Sequence, residues 1–186
     1  MNKFLPHLPA FRRFLGAGRR TAFTLFLACL VALPLSAADD SSNEVSVDRP
    51  AFTLKFPSNW KMDSAAKDYN ADNNFTINSA HNSYIQFNLS VKAADLQKVL
   101  DNAVFNLDGL AITTLSKSDF TQWGGYTGKG LHLKGKILDS YPGGIRVFVF
   151  NSGDHNVMVV ELYYSNELSQ VQGELDFIGQ NFKMKN

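Results

Sequence analysis

Two hydrophobic periods divide the chain. Over residues 84–92, Ile85, Phe87, Leu89 and Val91 alternate with Gln86, Asn88, Ser90 and Lys92. A period of two marks a strand with one dry and one wet face. The period then lengthens. Leu96, Val99, Leu100, Ala103, Val104 and Leu107 form the stripe of an amphipathic helix. Asp95 is placed to accept from the free N–H groups at its start, and Gly109 suits its stop. Upstream, residues 51–56 read as a first extended segment ending at Pro57, and residues 75–78 as a short strand. Residues 62–74, rich in Asp, Asn, Lys and Ala, read as a surface loop or a short helical turn.

The second half is mostly strand. Residues 112–115, extending toward Trp123, return to a strand pattern, and Gly124-Gly125 is a turn. Residues 126–138 form a long strand with Leu131, Leu133 and Ile137 on one face. Residues 141–144, Tyr-Pro-Gly-Gly, read as the next turn. Residues 145–150 and 157–164 are apolar at successive positions and flank a hairpin turn at 153–156. Strands dry on both faces belong in the middle of a covered sheet. A second helix follows, capped by Ser165 or Asn166, with Leu168, Val171, Leu175, Ile178 and Phe182 on its stripe. Gly173 and Gly179 weaken that helix in isolation, so packing must hold it. Strands, a helix, an antiparallel meander and a helix predict an α+β domain. With central strands dry on both faces, it is an α/β/α sandwich with a mainly antiparallel sheet.

Charge changes the picture at the N-terminus. Residues 1–38 hold Lys3, Arg12, Arg13, Arg19 and Arg20 and no acidic residue. An apolar run over 22–35 follows, then Ser36-Ala37-Ala38. Basic, apolar, then small is the order of a secretory signal peptide cleaved after Ala38. The run is short for a membrane span, which needs about 20 residues. Arg19-Arg20 hints at twin-arginine export, although Ala22 stands where a bulky apolar residue is expected. Phe26-Leu-Ala-Cys29 only loosely resembles a lipoprotein box. Cleavage removes Cys29, the single cysteine, so neither a disulfide framework nor a cysteine zinc site is expected. Residues 39–49 then read as a polar tether and 50–186 as one domain. Without residues 1–38 the chain carries 13 basic against 17 acidic residues, a net charge of −4. That balance gives no support for nucleic-acid binding, which shows a clustered basic surface.

The order of elements resembles the PsbP-like and DcrB-like superfamily. That group spans PsbP photosystem subunits, DcrB-type bacterial envelope proteins and a Ran-binding import factor. The stretch Phe52-Thr-Leu-Lys-Phe-Pro57-Ser-Asn-Trp60 resembles the family's opening strand followed by Pro-x-x-Trp. The meander from Gly124-Gly125 to the Ile178…Phe182 helix is similar as well, so the resemblance spans roughly residues 50–183. The family has no shared catalytic residues. Its members are mostly binding or assembly modules, which implies a non-enzymatic role without a cofactor.

Chemistry-bearing motifs are sparse. The chain has no Gly-x-Ser-x-Gly, Walker loop, His-Glu-x-x-His or CxxC pair. His81, His132 and His155 have no second His or Cys at ligand spacing, and Asp154-His155 reads as turn chemistry. Asp68, Asn70, Asp72, Asn73 and Asn74 offer oxygens but lack the spacing of an EF-hand, so a solvated loop is the better account. Asp139 and Glu161 adjoin apolar strands and read as solvated carboxylates. Trp60 reads as a core residue. Trp123, Tyr126 and Tyr141 flank turns and serve either as binding anchors or as caps on the ends of the sheet. His132, Lys134 and Lys136 alternate along one strand and make a basic line, either a partner surface or a solvated face. These six are the candidate binding residues.

Two functions are compatible with this reading. One is an exported, non-catalytic binding or assembly protein with an envelope protein as partner and a mature chain that does not span the membrane. The other is a small-ligand carrier or hydrolytic enzyme. It requires a pocket of several hundred Å³ between sheet and helix, lined by His132 or Glu161; a solid phenylalanine core disfavours it.

Overall fold

The computed structural model describes residues 43–107 and 113–185. The expected signal segment 1–38 and the helix stop at Gly109 lie outside the described residues. Ten strands and two helices follow in order: β1 (Glu44–Asp48), β2 (Phe52–Pro57), β3 (Lys61–Met62), β4 (Asn74–Asn78), β5 (Tyr84–Ser90), α1 (Leu96–Leu107), β6 (Thr113–Trp123), β7 (Tyr126–Ile137), β8 (Tyr141–Ser152), β9 (His155–Tyr164), α2 (Leu168–Gln180) and β10 (Lys183–Met184). No described helix is long and apolar enough to cross a membrane.

One sheet has seven strands in the order β3-β4-β5-β9-β8-β7-β6, every neighbour antiparallel. The expected dry strands, β8 and β9, sit near its centre. Alternate residues of β8 serve different cores. Ile145, Val147 and Val149 pack with Leu100 and Ala103 of α1, while Phe148 and Phe150 pack with Val171, Leu175 and Ile178 of α2. The helices therefore cover opposite faces, because a strand's side chains alternate across the sheet. The Asp95 carboxylate accepts from the N–H groups of Gln97 at 2.9 Å and Lys98 at 3.3 Å, so α1 starts where its pattern predicts.

A second sheet was not legible in the element pattern. It has three strands in the order β1-β2-β10 and shares the α2 layer. Residues 44–48, inside the segment expected as a tether, pair with β2 from Glu44↔Pro57 to Asp48↔Thr53. Val47 packs against the core and Val45 stays exposed, and ion pairs from Glu44 to Lys55 and from Asp48 to Lys185 add to the backbone ladder. Phe52, Leu54 and Phe56 of β2 are buried against Phe75, Phe87 and Phe182.

Three further expectations are corrected. Residues 141–144 are not a turn: β8 begins at Tyr141, and the turn lies at 138–140, where Leu138 and Asp139 take positive φ. Gly143 and Gly144 answer to close approach instead. A Cβ on either would collide with Tyr163, the first with its backbone carbonyl and the second with its hydroxyl. Helix α2 has Glu167 at its N-cap with no side-chain capping bond, so neither Ser165 nor Asn166 caps it. Val91 lies beyond the end of β5 and is 78% exposed, so the buried face of that strand ends at Leu89.

Candidate functional site

The register of the large sheet lines up polar residues that are far apart in sequence. Ser118 of β6 pairs with His132 of β7, His132 with Arg146 of β8, and Arg146 with Glu161 of β9. The row lies on the face that α2 packs against, since its β7 neighbours Leu131 and Ile137 pack on the α1 side. A cleft of about 370 Å³ opens between this row and α2. Ser118, His132 and Arg146 form its floor, and Leu175, Asp176 and Gly179 form the helix wall. A neighbouring depression of about 370 Å³ lies by Ser116, Lys134, Tyr163 and Leu168.

Glu161 anchors the row. It is 1% exposed, contrary to the solvated carboxylate expected at this position, because β9 is a central strand. One carboxylate oxygen accepts from Trp123 Nε1 at 2.7 Å, and the other accepts from Arg146 Nε. Burial raises its pKa above the ordinary carboxylate value, while the Arg146 charge and the two hydrogen bonds oppose the rise. Arg146 is thus held by a buried charge through one edge of its guanidinium. Its Nη2 stands 3.9 Å from Asp176 Oδ1, beyond hydrogen-bond reach, and that oxygen accepts from Gln172 Nε2 at 2.9 Å.

His132 is half-buried beside Arg146. Its Nε2 lies 2.7 Å from the Tyr163 hydroxyl. Its pKa is lowered to about 4, first by burial and then by the charges of Lys134 and Arg146, so the ring is neutral at pH 7. Burial raises the Tyr163 pKa as well, which leaves its hydroxyl protonated at pH 7. Ser118 faces His132 in register, yet no hydrogen bond joins the two.

The six sequence candidates separate. His132, Lys134 and Lys136 share one face as expected; His132 enters the cleft and the two lysines are exposed. Tyr141 is exposed and makes an edge contact with Tyr164. Trp123 and Tyr126 are not exposed anchors. Trp123 is 6% exposed, packs against Gly179 and reaches the cleft as part of its wall. Tyr126 stacks on Phe150 at 4.1 Å, and its hydroxyl accepts from the Met184 N–H at 2.7 Å. They pair with each other across Gly124-Gly125, where Gly124 has φ +53° and a Cβ would strike the Gly179 carbonyl. Irregular pairing in β6, between Phe120 and Gln122, turns Trp123 inward.

Sequence reasoning missed Arg146 altogether. A single arginine in the apolar run Ile-Arg-Val-Phe-Val-Phe was the available signal, because a charge in a central strand needs a partner. The oxygen donors at 68–74 serve local turns: Asn70 Oδ1 accepts from the Asp72 N–H and the Asp68 carbonyl from Asn74 Nδ2. Among the described residues no group of three His, Cys, Asp or Glu side chains is placed to hold a metal.

Comparisons with known proteins find matches among solved structures; no family model and no curated protein matches the chain. The solution structure of cyanobacterial PsbP (CyanoP) from Synechocystis sp. PCC 6803 is similar at a TM-score of 0.51 and 7% identity, over 77% of this chain and 93% of that one. LpqN of Mycobacterium tuberculosis, described as involved in cell envelope biogenesis, is similar at a TM-score of 0.50 and 16% identity, over 77% and 91%. At these identities the likeness is one of architecture, and with the two-helix, antiparallel arrangement above it shows that the chain has a PsbP-like fold.

Proposed function

We propose that this chain is an exported accessory protein of the cell envelope that works by binding rather than by catalysis. The observation that carries this reading is how the cleft uses its groups. Both oxygens of its buried acid are engaged, one by Trp123 and one by Arg146, and its histidine is paired to a tyrosine hydroxyl. A general base needs a free lone pair aimed at a substrate. Here Glu161 orients Arg146 and Tyr163 engages the Nε2 of His132, and Arg146, Ser118 and Gln180 bring hydrogen-bond donors to the cleft. Export through the segment 1–38, cleavage after Ala38 and a periplasmic or secreted location belong to the same proposal. The likeness to an envelope-biogenesis protein and to a PsbP supports it.

Photo-crosslinking tests this reading. A crosslinkable residue at exposed Ser118, in the cleft, is expected to capture one dominant envelope protein in cells. The same probe at Asn102, exposed on α1, is expected to capture none. Equal capture at both positions, or none at either, overturns it. The cleft's volume and converging polar side chains favour a second reading, a carrier of a small ligand, even though the rest of this face is packed with phenylalanine.

A further inference from the structure

Arg146 is oriented but not consumed. Its Nε donates to Glu161; among the described residues its terminal nitrogens make no hydrogen bond, and Nη2 makes only a long ion pair with Asp176 at 3.9 Å. Its side chain is 22% exposed, and it lines the cleft. A guanidinium fixed along one edge presents its other N–H groups as a planar fork, which matches the two oxygens of a carboxylate or phosphate. The fixing is firm: Glu161 is itself held by Trp123, and Trp123 by the close packing of Gly179.

The surroundings favour an anion. Lys134 stands next to His132 on the same face of β7, exposed and without an ion pair among the described residues. Lys134 lies two residues from His132 along β7, and its register partner Gly144 lies two residues from Arg146 along β8. Ser118 adds a hydroxyl on the floor, and Gln180 adds an amide at the helix wall. The opposing groups are Glu161, bound to the other edge of Arg146, and Asp176, which is half-exposed and hydrogen-bonded along α2 to Gln172.

We propose that the cleft binds an oxyanion, the carboxylate or phosphate group of a small ligand, on the Arg146 fork, with Lys134 at the edge of the neighbouring depression as second cation. This rests on the reading of the cleft as a binding face. His132 is the built-in reporter. The groups that face it are Ser118 from β6, Lys134 on its own strand, Arg146 from β8, Tyr163 from β9 and Asp176 from α2. An anion between the two cations offsets their charge, so the His132 pKa rises from about 4 on binding. By linkage, affinity for the ionised ligand increases as pH falls toward that value.

The test is an NMR titration of the full chain with inorganic phosphate and, separately, with acetate. It follows the His132 ring and the Trp123 indole N–H. The expected result is a saturable response to at least one probe at roughly millimolar concentration, with the His132 pKa raised by about one unit. The stronger probe identifies the group. Lys134→Gln, an exposed change, should weaken binding about fivefold, and Arg146→Lys about tenfold or more, since lysine cannot form the fork. Asp176→Asn should tighten it several-fold by removing the competing carboxylate. A response that does not saturate up to about 50 mM overturns the site. So does one that Lys134→Gln and Asp176→Asn leave unchanged, a readout that holds even if Arg146→Lys fails to fold. A partner crosslinked at Ser118 with no His132 response overturns the anion site alone and leaves the binding reading standing.

Discussion

Two neighbouring rows cross the same face of the large sheet, two residues apart on each strand, and they differ in kind. One runs Phe120, Gly130, Phe148, Val159, Phe87, Phe75. It is apolar throughout, with Phe120 stacked on Phe148 at 5.4 Å across Gly130 and Phe87 stacked on Phe75 at 4.9 Å. The other runs Ser118, His132, Arg146, Glu161, Ile85, Ile77. It is apolar only under the small sheet and turns polar from β9 outward. The first row fills space, and buried aromatic area is among the largest stabilising contributions a domain has. The second places a charge pair where a hydrophobic pair of similar size would be as stable or more so. That contrast makes the second row the candidate site: its groups are costly to bury and are arranged around an open cleft.

Four perturbations break or sharpen the contrast, the largest first. Phe87→Ala removes a ring in contact with Phe75, Trp123 and Phe182, and should cost about 3–5 kcal/mol in denaturant unfolding. A loss below about 1 kcal/mol would mean the aromatic row is not the stabilising one. Glu161→Ala should cost about 3 kcal/mol, because it orphans the Trp123 N–H and leaves the half-buried Arg146 without its counter-charge. The double change Glu161→Gln with Arg146→Met keeps an acceptor for Trp123 and removes both charges. It should recover most of that loss, and a double-mutant cycle reads the coupling.

The third perturbation is pH. The folded-state pKa of His132 lies below its unfolded value of 6.5, so the neutral ring favours the fold. That contribution is present above pH 6.5 and is lost as pH falls toward about 4. Glu161 acts in the opposite sense. Its pKa is raised, so its contribution is present at low pH and lost as pH rises above the ordinary carboxylate value. Melting temperatures of the parent and of His132→Asn, compared from pH 4 to 7, should converge at the acid end. Parallel curves would show that His132 does not titrate in this window. Smallest of all, Lys134→Ala should change stability by less than about 0.5 kcal/mol, since its side chain is exposed. A larger loss would make Lys134 a structural residue rather than part of the proposed binding face.

The strands, the two helices and the dry centre of the sheet were legible because burial on one face imposes a period on the sequence. The stripe Val171, Leu175, Ile178 and Phe182 is buried as its spacing predicts, and Trp60 is 1% exposed. Two-residue strands such as β3 and β10 are too short to show a period, and β1 has only Val45 and Val47 to carry one. The Pro-Gly-Gly segment misled for a specific reason. Glycine signals both positive φ and close approach, and only the position of Tyr163 distinguishes them.

The candidate site divides in the same way. Alternation along β7 alone placed His132, Lys134 and Lys136 on one face, since neighbours within a strand are fixed by its local geometry. Which residues of β6, β8 and β9 stand beside them depends on register, a property of strand pairing across the whole sheet. Register brought Arg146 to His132 and Glu161 to Arg146, irregular pairing in β6 turned Trp123 onto Glu161, and α2 closed one wall. Periodicity along the chain is enough to place the longer elements and their faces. Which charges meet is set by strand pairing and helix packing, because the partners that settle a buried charge come from distant parts of the chain.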